Sequence, residues 1–335
     1  MSLPFVTLTG SDVKVAKIAH GLMFMTWTTP VVDDETAFES IKAGLDLVQP
    51  GEKIMLGSGE FYGVNQPTAN LELLSRFFSK FPEYTDRALL QVKGGLVNMH
   101  PASSPESLRR SVENIIGSLG ESKKLDMFIP ARIDGVHPIE EIVASLKQLQ
   151  DEGLFKHIGL SEVNATTLRR ACKVAPIALV EIEVSPWTYD AATQEVIAAA
   201  QELGVHVSAY GPLGRGFLTG SFKREELGAG DFRLLIPRLE LEATTANQNI
   251  LDRITEFANK KGVTNAQLCI AWVASLGPHV IPLPGSSKAS RTIENFAAAN
   301  ISLSEAEKKE IDDAVNSFVI VGDRYPKFAQ KHLLI

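Results

Sequence analysis

Tyr62 and Lys93 are the pair whose types and positions first suggest chemistry. Tyr62 sits in Gly59-Glu60-Phe61-Tyr62-Gly63, just past the apolar run Ile54–Leu56. Lys93 ends the apolar run Leu89–Val92 and precedes Gly94-Gly95. Lysine is almost never buried without a partner. A lysine there either snorkels to a rim or has work to do. A phenol, with a reference pKa of about 10, is a poor acid at neutral pH. A neighbouring ammonium favours the phenolate and lowers that pKa. Side by side, Tyr62 and Lys93 would make a general acid for an alkoxide forming from a carbonyl. Taken alone, each reads equally as a surface turn or a rim lysine.

A second set follows later apolar runs. Ser161 and Glu162 close Gly159-Leu160-Ser161-Glu162, and Glu181 and Glu183 lie in the run that leads to Ser185-Pro186-Trp187. Tyr210-Gly211-Pro212-Leu213-Gly214-Arg215-Gly216 and Gly285-Ser286-Ser287-Lys288, with Arg291, Glu294 and Asn295 beyond, complete it. Glycines let a backbone approach a diphosphate, and a helix N-terminus carrying Ser, Lys and Arg attracts one. Arg291 with Lys288 suits an additional phosphate, since arginine binds phosphate as a fork. The same two residues also read as a solvated helix start. There is no G-x-G-x-x-G after the first strand, no Cys/His metal spacing, and no G-x-S-x-G turn.

Eight alternating units would position these residues. Short, nearly all-apolar runs are expected as parallel strands covered on both faces. They lie near Lys17–Phe24 and at Ile54–Leu56, Leu89–Val92, Met127–Ile129, His157–Leu160, Leu179–Val184, Val205–Tyr210 and Val280–Pro282. Between and after them, Asp34–Leu47, Thr68–Phe81, Ser104–Leu119, Ile139–Asp151, Thr166–Val174, Ala191–Leu203, Ala266–Leu276 and Ser290–Ala299 carry apolar residues at helical spacing. Ser104, Asn265 and Ser290 are candidate caps, with Pro105 in the first turn. Gly153, Gly204 and Gly277 fall where helices end. This order predicts a (β/α)₈ TIM barrel, residues 1–335 as one domain, with catalytic groups where strands meet loops at one mouth. Two additions are expected. One is a long polar loop after strand 7, Gly211–Asn247. The other is an extra C-terminal helix, Ser304–Ser317, whose Ser304 and Glu307 have capping-box spacing.

The chain has 335 residues, 33 Lys and Arg against 40 Asp and Glu, and two cysteines, Cys172 and Cys269. A barrel of about 250 residues plus insertions accommodates that length. The mixed, mildly acidic charge disfavours nucleic-acid binding. No apolar run approaches the roughly 20 residues of a membrane helix, and nothing points to a protein partner. A soluble protein of the cytosol, or of cytosol and nucleus, is expected.

These stretches, in this order and spacing, resemble the aldo-keto reductases along nearly the whole chain. The match runs from His20-Gly21-Leu22-Met23 through Glu60-Phe61-Tyr62-Gly63, Val92-Lys93-Gly94, Asp126-Met127-Phe128 and Ile158-Gly159-Leu160-Ser161 to Arg291 and Glu294-Asn295. Ala131-Arg132-Ile133-Asp134 and Gly159 to Val163 are most similar to the fungal pyridoxal reductases. The resemblance implies NADPH as cofactor and a small-molecule aldehyde as substrate. Tyr62 would be the acid and Lys93 its partner. Ser161, Glu162 and Glu181 would face the carboxamide, and Tyr210 would stack on the nicotinamide. Leu213, Gly214 and Arg215 would line the diphosphate, and Ser286, Ser287, Arg291, Glu294 and Asn295 would hold the adenosine end. Trp27, Phe61 and Trp187 could form apolar walls for the substrate, and Arg132 could meet a substrate phenolate or simply pair with Asp134.

The chain also departs from the family. Gly57 stands where an acid usually pairs with the lysine, Ala131 where a histidine usually lies, and Glu162 and Glu181 where Asn and Gln are usual. Lys93 is therefore expected either to lack its usual counter-ion and lose its proton more easily, or to be compensated by solvent or another carboxylate. His100, His137 or Arg132 are candidates to replace the missing donor. Pyridoxal reduction, reduction of other carbonyls, and a redox-sensing subunit with little catalysis are the readings left open.

Overall fold

The computed structural model describes residues 3–335. Eight parallel strands curl into a closed barrel: β1 (His20–Gly21), β2 (Glu52–Gly59), β3 (Ala88–Gly94), β4 (Met127–Pro130), β5 (His157–Ser161), β6 (Leu179–Glu183), β7 (His206–Tyr210) and β8 (Val280–Leu283). Neighbours pair in that order, with Met55 opposite Leu89, Lys93 opposite Ile129 and Glu181 opposite Ser208. Closure joins β1 to β8. Ala19 and Gly21 amides donate to the Pro282 and Pro284 carbonyls at 2.9 Å, and Ser286 N–H donates to Gly21 at 3.3 Å. Glycine matters here, because a Cβ at Gly21 would meet Gly285 Cα at 3.3 Å.

Eight helices surround the sheet: α1 (Asp34–Leu45), α2 (Ala69–Lys80), α3 (Pro105–Leu119), α4 (Ile139–Asp151), α5 (Ala165–Ala171), α6 (Ala191–Leu203), α7 (Asn265–Ser275) and α8 (Ala289–Ala297). Period-2 alternation sorts each strand into two layers. Leu56, Leu90, Val92, Phe128, Val180 and Ile182 face the helices and form the large outer core. Met55, Leu89, Met127, Ile129, Leu179, Ile281 and Leu283 fill the lumen. An antiparallel hairpin, Phe5–Thr7 with Lys14–Ala16, plugs the end of the barrel opposite the mouth through Leu8 and Val15.

The sequence reading needs several corrections. The first strand is not continuous over 17–24; only His20–Gly21 is strand, and a helical turn begins at Met23. The insertion after β7 carries a 14-residue helix, Gln248–Lys261, whose buried Ile250, Ile254, Phe257 and Ala258 lie at helical spacing. Thr264, not Asn265, caps α7, in a capping box with Gln267. Lys288 starts α8, so Ser290 lies inside it. Gly277 has no left-handed backbone; it makes room for the His279 ring, 2.6 Å from where a Cβ would stand. Ser104 does cap α3, Gly153 and Gly204 are left-handed, and the last long helix, Glu305–Ser317, starts with the Ser304–Glu307 box.

Candidate active site

The lumen rule selects the site. Leu89, Gln91 and Lys93 share the inward face of β3, so the Lys93 ammonium projects into the mouth. On β6 the inward face is Leu179, Glu181 and Glu183. Across the lumen, Lys93 Nζ meets Glu181 Oε1 at 2.7 Å, both side chains under 10% exposed. Gln91 donates to the other Glu181 oxygen at 3.0 Å. Lys93 thus has a counter-ion, supplied from β6 instead of β2. Gly57 also faces inward, and a Cβ there would meet the Leu283 methyls at 3.1 Å and Gln91 Nε2 at 3.3 Å. The place an acid might hold is packed, and the acid sits opposite.

Tyr62 leaves β2 in a tight turn, its N–H donating to Gly59 at 3.2 Å and its carbonyl accepting from Thr26 at 2.6 Å. Its ring lies over Gly59, where a Cβ would intrude at 2.9 Å. Lys93 Nζ stands 5.3 Å from the ring centroid. The charge balance differs from the one expected. Burial pushes the Tyr62 phenol up, and Glu181 adds to this, so together they outweigh the lowering by Lys93. Burial works against the Lys93 ammonium, but Glu181 and Tyr62 prevail and hold its pKa above the usual lysine value. Tyr62 is a protonated donor beside a firmly charged ammonium.

Trp27 packs against Tyr62 at 5.6 Å, Phe61 at 5.9 Å and Phe232 at 5.5 Å. Phe232 in turn lies 6.1 Å from Tyr325. Trp187 is elsewhere. It stacks on Phe217 at 4.7 Å, is 2% exposed, and touches the region where Gly214 must lack a Cβ. It supports the loop after β7 and does not wall the mouth. His100 is exposed on a small hairpin, and His137 bonds Asp134 at 2.8 Å. Arg132 remains at the mouth, donating to Ser161 Oγ at 3.2 Å.

The residues expected around a carboxamide and diphosphate do converge, around carboxylates. Glu162 Oε1 accepts from Tyr210 O–H and from Arg324, each at 2.7 Å, and from Glu183 N–H at 3.1 Å. Glu183 Oε2 accepts from Arg215 at 3.1 Å and Arg324 at 3.3 Å. Burial alone would raise the Glu183 carboxyl, but Arg215, Arg324 and Arg238 hold it below its usual value. Arg215 also lies 4.6 Å over Tyr325, whose hydroxyl is 3.0 Å from that of Tyr210. Ser286, Ser287, Arg291, Glu294 and Asn295 form a separate group where β8 enters α8, a helix with no side-chain cap. Within it Ser286 turns to the Lys288 carbonyl, and Glu294 accepts from Thr264 at 2.7 Å.

The barrel lumen brings a tyrosine, a lysine paired with a carboxylate and an aromatic wall to one mouth. Residues 17–316 match the Aldo/keto reductase family. The chain belongs to that family. Among curated relatives, this reductase is 33% identical over 330 residues to a probable pyridoxal reductase 2 of Schizosaccharomyces pombe, covering 96% of this chain and 98% of that one. It is 34% identical over 278 residues to aldo-keto reductase yakc, NADP(+), of the same yeast, covering 80% of each. It is 35% identical over 273 residues to a probable aldo-keto reductase 1 of Glycine max, covering 80% of this chain and 77% of that one. Among solved structures, a glycerol dehydrogenase of Gluconobacter oxydans superposes with a TM-score of 0.79 at 24% identity, covering 95% and 97% of the two chains. Among the described residues of this reductase no helix is long and apolar enough to cross a membrane, and no group of three or more His, Cys, Asp or Glu is placed to hold a metal.

Phe232, Arg324 and Tyr325 were not singled out from the sequence. They come from the loop after β7 and from the last residues of the chain. The sign that could have pointed to Phe232 is the length of that loop. Nothing local marks Arg324.

Proposed function

We propose that the protein reduces an aldehyde with NADPH, pyridoxal to pyridoxine being the favoured case, with Tyr62 donating the proton. The observation that carries this reading is Tyr62 beside the Lys93–Glu181 pair inside an aromatic mouth. A buried, low-dielectric site makes such preorganised donors effective, because little solvent must reorganise as the alkoxide forms. NADPH would supply the hydride. Several features suit that cofactor. Glu162 Oε2 is buried with no partner, an acceptor available to an amide. Gly214, Arg215 and Gly216 have positive φ, presenting amides as an anion-binding loop does. The uncapped start of α8 beside Lys288 and Arg291 suits phosphate. Arg215 and Tyr210 would change partners to contact a dinucleotide. The pyridoxal assignment leans on the relative from Schizosaccharomyces pombe.

The Lys93–Glu181 pair also weakens the reading of a redox-sensing subunit, since it restores the counter-ion missing at Gly57, one of the two absences that motivated that reading, the other being the donor missing at Ala131. The test is NADPH oxidation monitored with pyridoxal, run beside Tyr62→Phe. Turnover in the parent and a loss of about a hundredfold or more in the variant are expected. Equal rates in both would remove Tyr62 from the chemistry, and NADPH binding without turnover of any aldehyde would favour the sensing role.

A further inference from the structure

Three cations at the mouth are paired with carboxylates. Lys93 pairs with Glu181, Arg215 with Glu183, and Arg324 with both Glu162 and Glu183. Arg132 is the fourth cation, and among the described residues no carboxylate lies within 4.0 Å of it. Its guanidinium donates only to neutral acceptors, the carbonyl of Ala131 and Ser161 Oγ. It is half-buried and lies 5.7 Å from the Tyr325 ring centroid. Tyr325 is also the aromatic that closes the wall running through Phe232 and Trp27 to Tyr62. Arg132 is thus the cation at the mouth left without a carboxylate partner, beside the apolar wall that leads to the proton donor. Ala131, which precedes Arg132, is itself small and buried, so the guanidinium is the polar group that the end of β4 offers.

We infer that Arg132 is a specificity-determining residue that pairs with an anionic group on the substrate, so that the preferred substrates are aryl aldehydes carrying a carboxylate or phenolate. A planar guanidinium binds such an oxygen by charge-assisted hydrogen bonds, roughly twice as strong as neutral ones. Removing it leaves the anion without a partner in a desolvated pocket, the situation that gives large discrimination between substrates. The aromatic wall accepts the ring, and Arg132 fixes which way round it lies. This inference rests on the reductase reading and names the substrate class within it.

The experiment measures kcat/KM with NADPH for the ortho, meta and para carboxybenzaldehydes and for their neutral methyl esters. At least one acid is expected to exceed its ester by about tenfold or more, the order of one charge-assisted hydrogen bond. Arg132→Gln is expected to erase that preference, mainly through KM, Arg132→Lys to keep part of it, and Arg132→Glu to reverse it toward a trimethylammonio-benzaldehyde. No preference in the parent, or equal losses for acid and ester in Arg132→Gln, overturns the inference while leaving the reductase reading intact. If the parent reduces no aldehyde, the reductase reading fails instead. Calorimetric titration of 4-hydroxybenzoate into the parent and Arg132→Gln then decides for Arg132 separately, with weaker binding to the variant expected and equal binding overturning it.

Discussion

Lys93 ends a strand whose inward positions are all in the lumen, so its charge cannot reach bulk water without distorting the strand. Glu181 answers it from across the barrel at 2.7 Å. Breaking such a pair by removing one partner costs about 3–5 kcal/mol, because it leaves an uncompensated buried charge. Glu181→Gln is therefore expected to lower the unfolding free energy read from urea melts by that order. It should also change the pH profile. In the parent, Tyr62 is held above its ordinary value, so reduction should stay level through neutral pH and fall only in strongly alkaline solution. Without the Glu181 charge only burial opposes the pull of the Lys93 ammonium on the phenol, and the alkaline limb should move to lower pH. An unmoved limb would show that Glu181 is structural only. The chemistry of Tyr62 and Lys93 was legible from residue type and spacing. The partnership of Lys93 with Glu181 was not, since the two are far apart in sequence and meet only across a closed barrel. Strand parity held the clue, because Leu179, Glu181 and Glu183 alternate just as Leu89, Gln91 and Lys93 do.

At the scale of elements, β1 is two residues long, and side chains as well as amides tie it to β8. His20 Nε2 donates to the Ser286 carbonyl at 3.0 Å, and the ring is buried against Phe296. Burial lowers the His20 pKa to about 4. An unfolded histidine titrates at about 6.5, so the unfolded chain binds the proton first as pH falls. The stability that neutral His20 contributes is complete above about pH 6.5 and is lost progressively down to about pH 4. Over that window the loss should be about 3 kcal/mol, and a His20→Gln variant should lack this part of the pH dependence in urea melts. Parallel slopes for the two proteins would show that His20 is not the titrating group. Most elements could be read from periodicity. The helix Gln248–Lys261 was less legible because its polar face is rich in charge and only four of its fourteen residues are buried. The start of the barrel was misjudged because β1 is stabilised by its neighbours, not by its own sequence.

For the whole molecule, the chain after the last long helix crosses the mouth. Arg238 N–H donates to Asp323 and Asn247 exchanges two hydrogen bonds with Val321 on one side. On the other side Ile335 N–H donates to Glu162, and its carbonyl accepts from Asn164. Arg324 sits between, on Glu162 and Glu183. Arg324→Met should cost about 3 kcal/mol, since Glu162 keeps only neutral donors while Glu183 retains Arg215. Thermal unfolding would register this as a midpoint several degrees lower. An unchanged midpoint would give these ion pairs no more worth than exposed ones. The barrel itself was evident in the order of apolar runs. The path of the final residues was not, because their contacts are with loops and carry no periodicity.

The acid that steadies Lys93 belongs to the second four strands, and Lys93 belongs to the first. Neither half of the chain can assemble the proton-donating group by itself, however much helix and sheet it forms. In a refolding population, secondary structure can therefore return in stages, but a competent Tyr62 can appear only with the final joining of the halves. The ion pair makes catalytic competence a property of the closed barrel and of no smaller piece of it.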